Sequence, residues 1–333
     1  MAKRKIYPMF IPHAGCPNQC VFCNQKHISG SLFPVSGKDV HNALSALEGE
    51  DYELAFYGGS FTAIPEEQQE ELLRSVQPFL RSGLVSSVRV STRPDAIDAP
   101  CLDRLRRYGV ETVELGAQSM TDCVLQLSAR GHTAEDVRRA AAMVKNAGFT
   151  LILQMMTGLP GETRESTARS AREIIALRPD GVRLYPTVIV RDTPLYELWK
   201  RGEYAEHTVE DAVEVCADIL PLFMEAGISV IRLGLNPTEE LSGGEAVGGA
   251  YHPALGELVR SRIYRRKAEA LLEFTEPGSS VVLEVARGHL SQVNGQKRCN
   301  LEYLREKYAL REIYTRETVA GESENFFLTV AKC

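Results

Sequence analysis

The sequence predicts an α/β protein: a partial (β/α)6 TIM-like barrel followed by a small C-terminal α/β domain. Apolar, β-branched or aromatic runs of strand length alternate with longer segments of helical period through most of the chain. That alternation implies right-handed crossovers and a parallel sheet with helices outside it. Six such units fall short of the eight that close a barrel. Polar and glycine residues also recur just after the apolar runs, where the functional groups of such sheets gather. A flat doubly wound sheet is the alternative architecture.

The expected strands are Ile6–Ile11, Glu53–Tyr57, Val88–Ser91, Thr112–Leu115, Thr150–Met155 and Gly181–Tyr185. Helical patterns between them cover Glu66–Leu80, Leu102–Tyr108, Thr133–Ala147 and Arg164–Leu177. Thr133-Ala134-Glu135-Asp136 is a good helix start and Gly148 a good stop. Behind the second strand comes Tyr57-Gly58-Gly59-Ser60-Phe61-Thr62, and behind the third Ser91-Thr92-Arg93-Pro94-Asp95. The fourth carries Glu114 and runs into Gly116-Ala117-Gln118-Ser119. The fifth carries Gln154 and then Thr157-Gly158-Leu159-Pro160-Gly161-Glu162, and the sixth ends in Tyr185-Pro186-Thr187. One glycine at a strand end is explained by a tight turn; the recurrence is not explained by folding alone. Arg130-Gly131-His132, before the Thr133 helix, reads by itself as a solvated loop.

Behind the first strand stand Cys16, Cys20 and Cys23, spaced C-x3-C-x2-C. Three thiolates on so short a loop can each take one iron of a cubic cluster and leave the fourth iron open to a small molecule. His27 follows Cys23, so a closed Cys3His zinc site is a second reading of the same spacing, and free thiols a third.

The chain has 333 residues, 44% hydrophobic and 25% charged, the composition of an ordinary soluble globular protein. That length suits one large domain with an appendage, and the expected division is 1–240 and 241–333. A net charge of −6 excludes a generally basic nucleic-acid binder and leaves only a local patch. The basic start Met1–Lys5 is followed by no apolar stretch of signal-peptide length, and no run long enough to span a membrane is found. The other cysteines (Cys101, Cys123, Cys216, Cys299, Cys333) are scattered singly, so a reducing, cytoplasmic location is expected.

Past the sixth strand, Asp192-Thr193-Pro194 opens a helix, Thr208–Ala226 has helical period, and Ile228–Leu233 is a further strand. Leu241–Gly249 is glycine-rich and is expected to be a flexible loop or domain boundary; no Lys-Ser/Thr follows to make it a phosphate loop. The helix Leu255–Leu272 carries Arg260, Arg262, Arg265, Arg266 and Lys267, either an electrostatic footprint for nucleic acid or a solvated face. Then come a strand (Val281–Ala286), a helical region broken at Asn294-Gly295, and strands near Glu312–Arg316 and Phe326–Val330. Gly295-Gln296-Lys297-Arg298 lies between two helical pieces and resembles the GXXG loop of a KH-type RNA-binding unit, with Arg298 in place of the second glycine. On that reading Lys297 and Arg298 meet RNA; on the other the tail is a small α/β cap.

From Pro12 to Leu235 the chain resembles the radical S-adenosylmethionine enzymes. Within them it is most similar to the radical domain of the Elongator catalytic subunit, a tRNA wobble-uridine modification enzyme. The residues that carry this are the three cysteines, Ser91–Asp95, Val113–Ser119, Arg130–Thr133, Gln154–Met156 with Gly158–Gly161, and above all Leu184-Tyr185-Pro186-Thr187-Val188-Ile189-Val190-Arg191-Asp192-Thr193 running on to Trp199. Anaerobic coproporphyrinogen oxidases share some of these elements more loosely.

The resemblance implies a 4Fe–4S cluster on Cys16, Cys20 and Cys23, its open iron chelated by S-adenosylmethionine, with His27 only a loop residue. It places Gly58, Gly59 and Ser60 at the methionyl amine through backbone carbonyls and Phe22 at the adenine. Glu114 and Gln118 face the ribose or the methionine, and Gln154 with Gly158 closes the nucleoside pocket. The implied reaction is reductive cleavage of S-adenosylmethionine by an external one-electron reductant, giving a 5′-deoxyadenosyl radical that abstracts hydrogen from a bulky substrate, tRNA or another RNA. Ser60 stands where the family often has an acidic residue. The chain is also expected to lack the acetyltransferase domain of the Elongator subunit, so carboxymethylation of uridine is not implied. The competing readings are tetrapyrrole oxidation and a non-enzymatic, metal-bearing RNA-binding protein.

Overall fold

The computed structural model describes residues 5–11, 16, 19–24, 35–236, 241–321 and 324–332. In chain order, β1 (Lys5–Ile11), α1 (Gly37–Ser45), β2 (Tyr52–Gly58), α2 (Glu66–Ser82), β3 (Val85–Thr92), α3 (Ala99–Arg107) and β4 (Val110–Gln118) alternate as expected. They are followed by α4 (Asp122–Leu127), α5 (Ala134–Asn146), β5 (Thr150–Thr157), α6 (Arg164–Ala176) and β6 (Gly181–Pro186). Thr133 caps α5 in a capping box with Asp136, and Gly148, at φ +80°, follows its end.

After β6 come β7 (Val188–Val190), α7 (Pro194–Lys200), α8 (Val209–Glu225), β8 (Ser229–Leu233) and β9 (Ala246–Gly249). All neighbours in the order β1-β2-β3-β4-β5-β6-β8 pair in parallel, a seven-stranded sheet curled into a half-barrel. The sequence expectation of six units holds, and β8 adds a seventh strand.

The strand period of two sorts the side chains by face. Leu54, Val88, Val90, Val113, Leu115, Leu151, Leu153, Met155, Val182 and Leu184 are fully buried, as are Leu72, Val76, Leu105, Val137 and Ile174 on the helices. Each such side chain contributes about 1.5–3 kcal/mol. The alternate positions Arg89, Glu114, Gln154 and Arg183 are polar and look into the concave side.

Leu241–Gly249 corrects the sequence expectation of a flexible loop. Its second half is β9, paired antiparallel with β7. Gly249 has φ +80°, and a Cβ there would stand 2.7 Å from the Thr187 carbonyl oxygen. Glycine is therefore used for close packing of two short strands.

Two compact units result: Met1–Thr208 with Ile228–Tyr251, and Val209–Gly227 with His252–Cys333. The division expected at residue 240 differs from this one, because α8 packs with the tail. The second unit continues with α9 (Leu255–Leu272), β10 (Ser280–Ala286), α10 (Leu290–Asn294), α11 (Cys299–Lys307), β11 (Glu312–Thr318) and β12 (Leu328–Lys332). Its sheet runs β11-β10-β12, with β10 parallel to β11 and antiparallel to β12.

Two of the arginines of α9 are already paired with acids of α8, and Arg265 lies over the Tyr303 ring. Arg262 pairs with Glu210 at 2.6 Å and Arg266 with Asp218 at 2.8 Å, and both pair with Glu214. Glu210, Glu214 and Asp218 recur every four residues along one face of α8. The footprint reading of Arg262 and Arg266 is corrected to a helix–helix ladder. Among the described residues no helix is long and apolar enough to cross a membrane.

Asn300 is the polar hub of the second unit. It is 4% exposed, and its Nδ2 stands 2.9 Å from Ser261 Oγ, 3.1 Å from the Val293 carbonyl and 3.3 Å from that of Gln292. It ties α9, the end of α10 and the start of α11 together. Asn300→Ala is expected to cost about 1–3 kcal/mol, the price of stranding buried acceptors. Urea unfolding should show a lower midpoint with an unchanged slope.

Candidate functional site

The cysteine loop is fastened by backbone bonds to two distant elements. The Val21 N–H donates to the Ser128 carbonyl at 3.1 Å, just past α4, and the Leu195 N–H of α7 donates to the Val21 carbonyl at 2.8 Å. Asn24 Nδ2 donates to the Arg191 carbonyl at 3.1 Å. Val21 and Phe22 pack on the apolar cluster of Ile189, Leu195 and Tyr204. The run from Leu184 to Trp199 thus has a local purpose: it clamps the loop that carries the thiols.

Arg130 reaches that loop from the far side. Its Nη1 donates to Cys20 Sγ at 3.4 Å and its Nη2 to the Gly116 carbonyl at 2.8 Å, while its Nε is buried without a partner. A Cβ at Gly116 would lie 2.6 Å from Nη2, so the glycine leaves room for the guanidinium. Arg93, 2% exposed, grips Asp95 through two 2.9 Å bonds and leaves Nη1 buried and unpartnered. Burial pushes the Cys16 thiol up, opposed by Arg130, Arg93 and a backbone bond from Ser60. The solvated-loop reading of Arg130-Gly131-His132 is corrected, since Arg130 and His132 are both buried. His132 Nε2 lies 3.2 Å from the Ala117 carbonyl, and burial, with Arg130 second, pushes its imidazole down to about 4.

Thiols on one loop, flanked by two guanidiniums with spare buried donors, suit an anionic thiolate-bound group with its own acceptor atoms. Among the described residues no three His, Cys, Asp or Glu side chains converge as a single-ion site. His27 lies outside the described residues.

A cavity of about 300 Å³ opens beside the loop, with Phe22, Cys23, Gly58, Glu114 and Gln154 in its lining. Five of the sequence-predicted residues therefore meet at one place. Gly58 has φ +100°, and Gly59 donates its N–H to the Ile11 carbonyl at 2.7 Å, so this turn abuts the root of the cysteine loop. Ser60 is buried: its Oγ lies 2.8 Å from Thr92 Oγ1 and accepts the Arg93 N–H at 3.1 Å.

The cavity floor is a balanced charge network. Arg89 Nη1 donates to Glu114 Oε1 at 2.5 Å and its other nitrogens to Glu53 at 2.9–3.1 Å. Arg183 donates to both Glu114 oxygens at 3.0 Å and to the Tyr57 hydroxyl at 2.8 Å. Tyr57 in turn donates to Glu114 Oε1 at 3.2 Å. Two guanidiniums face two carboxylates, the arrangement that makes buried charge tolerable. Burial, reinforced by Glu114, pushes the Tyr57 hydroxyl up, so it stays protonated.

Gln118, at φ +66°, reaches the cavity through Gln154, whose Nε2 lies 3.4 Å from Gln118 Oε1. Gly158 has φ +75°, and a Cβ there would overlap the His207 ring at 2.1 Å. Its carbonyl accepts the Tyr204 hydroxyl at 2.6 Å. Lys297 and Arg298 belong to the second unit, on an exposed turn. Sequence reasoning passed over Arg89, Tyr57, Arg183 and His207 as site residues. A charged residue within an apolar strand was the available signal for Arg89 and Arg183.

Thiols at a strand end, a cavity at the same end of an open parallel half-barrel and a polar floor define a cofactor-dependent barrel enzyme. The model of the radical SAM superfamily matches residues 10–174, and that of the radical SAM C-terminal domain matches 179–265. The chain belongs to the radical SAM superfamily and is a radical SAM enzyme. It is 34% identical to human Elongator complex protein 3 over 191 residues, which is 51% of this chain and 35% of the human protein. It is 30% identical to the tRNA uridine(34) acetyltransferase of Methanocaldococcus jannaschii over 183 residues, 49% of this chain and 34% of that protein. The chain thus spans about a third of the length of these relatives. In structure it is similar to the archaeal Elp3 of Methanocaldococcus infernus, with a TM-score of 0.63 at 22% identity over 79% of this chain and 64% of that one. It also shares its fold with the coproporphyrinogen III oxidase HemN of Escherichia coli, with a TM-score of 0.50 at 18% identity over 68% of this chain and 54% of that one.

His132 makes the folded protein sensitive to acid. Its folded pKa of about 4 lies below the ordinary 6.5, so between those values the unfolded chain binds the proton first. Stability is whole above pH 6.5 and falls as pH drops towards 4, by up to about 3 kcal/mol. Urea unfolding across that range should be flatter in His132→Gln than in the unaltered protein.

Proposed function

We propose that the protein cleaves S-adenosylmethionine reductively and uses the radical to take hydrogen from a tRNA or another RNA. The observation that carries this is the meeting of Cys23, Gly58 and Gln154 in one cavity, beside a Cys20 thiol that already receives an Arg130 N–H. Cys16, Cys20 and Cys23 would hold a 4Fe–4S cluster, and their arginine neighbours would offset its negative charge. When bound, that cluster supplies one electron to the sulfonium of S-adenosylmethionine, which yields methionine and a 5′-deoxyadenosyl radical.

The remaining residues bind, orient and shield. Gly58, Gly59 and Ser60 offer backbone groups to the methionyl end, and Phe22 offers a face to the adenine. Gln118, Gln154 and Gly158 bound the nucleoside. Glu114, its oxygens engaged by Arg89, Arg183 and Tyr57, acts by holding those donors rather than through free lone pairs. Phe10, Met156, Val188 and Val190 form an apolar wall that keeps water from a reactive species.

The RNA reading is supported by the relatives, whose names include a tRNA uridine(34) acetyltransferase. The half-barrel also suits a large substrate, since β1 and β8 end its sheet without closing it. We assign the radical step to the first unit and substrate binding in part to the second. An external one-electron reductant and a reducing compartment such as the cytoplasm complete the reading.

The test is anaerobic reconstitution with iron and sulfide, then incubation with dithionite, S-adenosylmethionine and total tRNA. The expected products are 5′-deoxyadenosine and methionine, absent in Cys20→Ala, with an altered nucleoside in the digested tRNA. Undiminished cleavage in Cys20→Ala would sink the proposal, and an unaltered tRNA digest would remove the RNA substrate.

A further inference from the structure

The second unit holds a groove that the radical chemistry does not use. One wall is a single face of α11 with its preceding turn, Arg298, Leu301, Glu302 and Arg305, spaced at i, i+3, i+4 and i+7. The other is the start of β11, from Arg311 to Tyr314. The enclosed volume is about 280 Å³. We propose that this groove binds single-stranded RNA, a reading that rests on RNA as the substrate class and names where this chain would hold it.

Charge is the first argument. Arg262 and Arg266 of α9 are consumed by acids of α8, as shown above. The guanidiniums of Arg298 and Arg305, by contrast, form no hydrogen bond or ion pair among the described residues. Arg311 stands across from them, its Nε on Ser280 Oγ at 3.0 Å. Cations on both walls of a narrow channel suit a chain of phosphates. Lys297 is exposed on the turn between α10 and α11, and a Cβ at Gly295, which opens that turn, would lie 2.7 Å from Cys299 Sγ.

The remaining lining argues for nucleic acid over an acidic peptide. Tyr314 is 47% exposed, and its hydroxyl donates to Glu312 Oε2 at 2.6 Å, which steadies the ring on the strand for a base to stack against. Glu302 and Glu312 can only accept hydrogen bonds. They match the donors that RNA carries beside its phosphates, the 2′-hydroxyls and base amino groups, which carboxylate side chains lack. Leu301 and Ile313 give a buried apolar floor. A space of this size takes nucleotide units singly and has no room for the width of a duplex.

The test is fluorescence anisotropy on the reconstituted full-length chain with a labelled 12-nucleotide RNA. Unlabelled DNA of the same sequence, duplex RNA and a polyglutamate peptide serve as competitors. Arg305→Glu and Arg298→Glu should each weaken RNA binding by about tenfold or more. Tyr314→Leu should weaken it by about 5- to 150-fold. Arg298→Ala with Arg305→Ala should lower the salt slope by about 1.4. Arg107→Glu, an exposed charge reversal in the first unit, is the control for overall charge. Thermal melts identify any variant that fails to fold, and the alanine pair then carries the test.

Wild-type affinity in the alanine pair and in Tyr314→Leu overturns the proposal. So does an equal loss in Arg107→Glu, or equal competition by duplex RNA or polyglutamate. The radical reading fails separately, through absent cleavage of S-adenosylmethionine. RNA binding that depends on the groove would survive that failure, and normal cleavage would survive loss of the groove.

Discussion

Val21 carries the constraint on which the site depends. Its N–H is held by the carbonyl of Ser128 and its carbonyl by the N–H of Leu195, so one residue of the cysteine loop is fixed to elements over a hundred residues away in sequence. Without such anchors a loop bearing three thiols would place them nowhere in particular, and its ordering entropy would fall on whatever it bound. With them, Cys20 meets Arg130 and Cys23 turns to the cavity. The clamp also explains why the stretch from Leu184 to Trp199 is so distinctive in sequence. Part of it is strand, part helix cap, and Leu195 has to reach both the cysteine loop and the Ile189–Tyr204 cluster.

The concave face answers a different constraint, that of placing charge in a half-buried cavity without stranding it. Glu53, Arg89, Glu114, Arg183 and Tyr57 come from β2, β3, β4 and β6, and β5, between the last two, contributes the neutral Gln154. Removing any one partner would leave another unpaired at a cost of several kcal/mol. The network is therefore rigid by construction. A rigid floor with protonated tyrosine and fixed arginine donors is a surface against which a polar ligand can be oriented rather than merely enclosed.

Much of this was legible in the sequence, and the limit has a physical form. The alternation of strands and helices, the capping box at Thr133 and the polar strand ends are local patterns. Local patterns survive in a single chain. Charged residues inside apolar strands, such as Arg89 and Arg183, could also have been read as concave-face residues from the period of two. Pairings between remote positions could not. Nothing near Arg130 announces Cys20, 110 residues earlier, and nothing in α9 announces the acids of α8, 52 residues before Arg262. Leu241–Gly249 misled for a third reason. Its glycines are ordinary loop residues by composition, yet Gly249 serves because the chain there presses on Thr187 with a positive φ.

The contrast between the two sets of arginines in the second unit shows why composition alone cannot locate a binding surface. Both α9 and the stretch from Arg298 to Arg311 are arginine-rich, and α9 is the richer in sequence. A guanidinium already paired with a carboxylate brings almost no net field to a phosphate, and would have to break that pair to bind one. Arg262, 9% exposed, would also leave Glu210 without its cation. Among the described residues, Arg298 and Arg305 of the α11–β11 groove keep guanidiniums that no carboxylate has taken. Charge available for recognition is what folding has not already used.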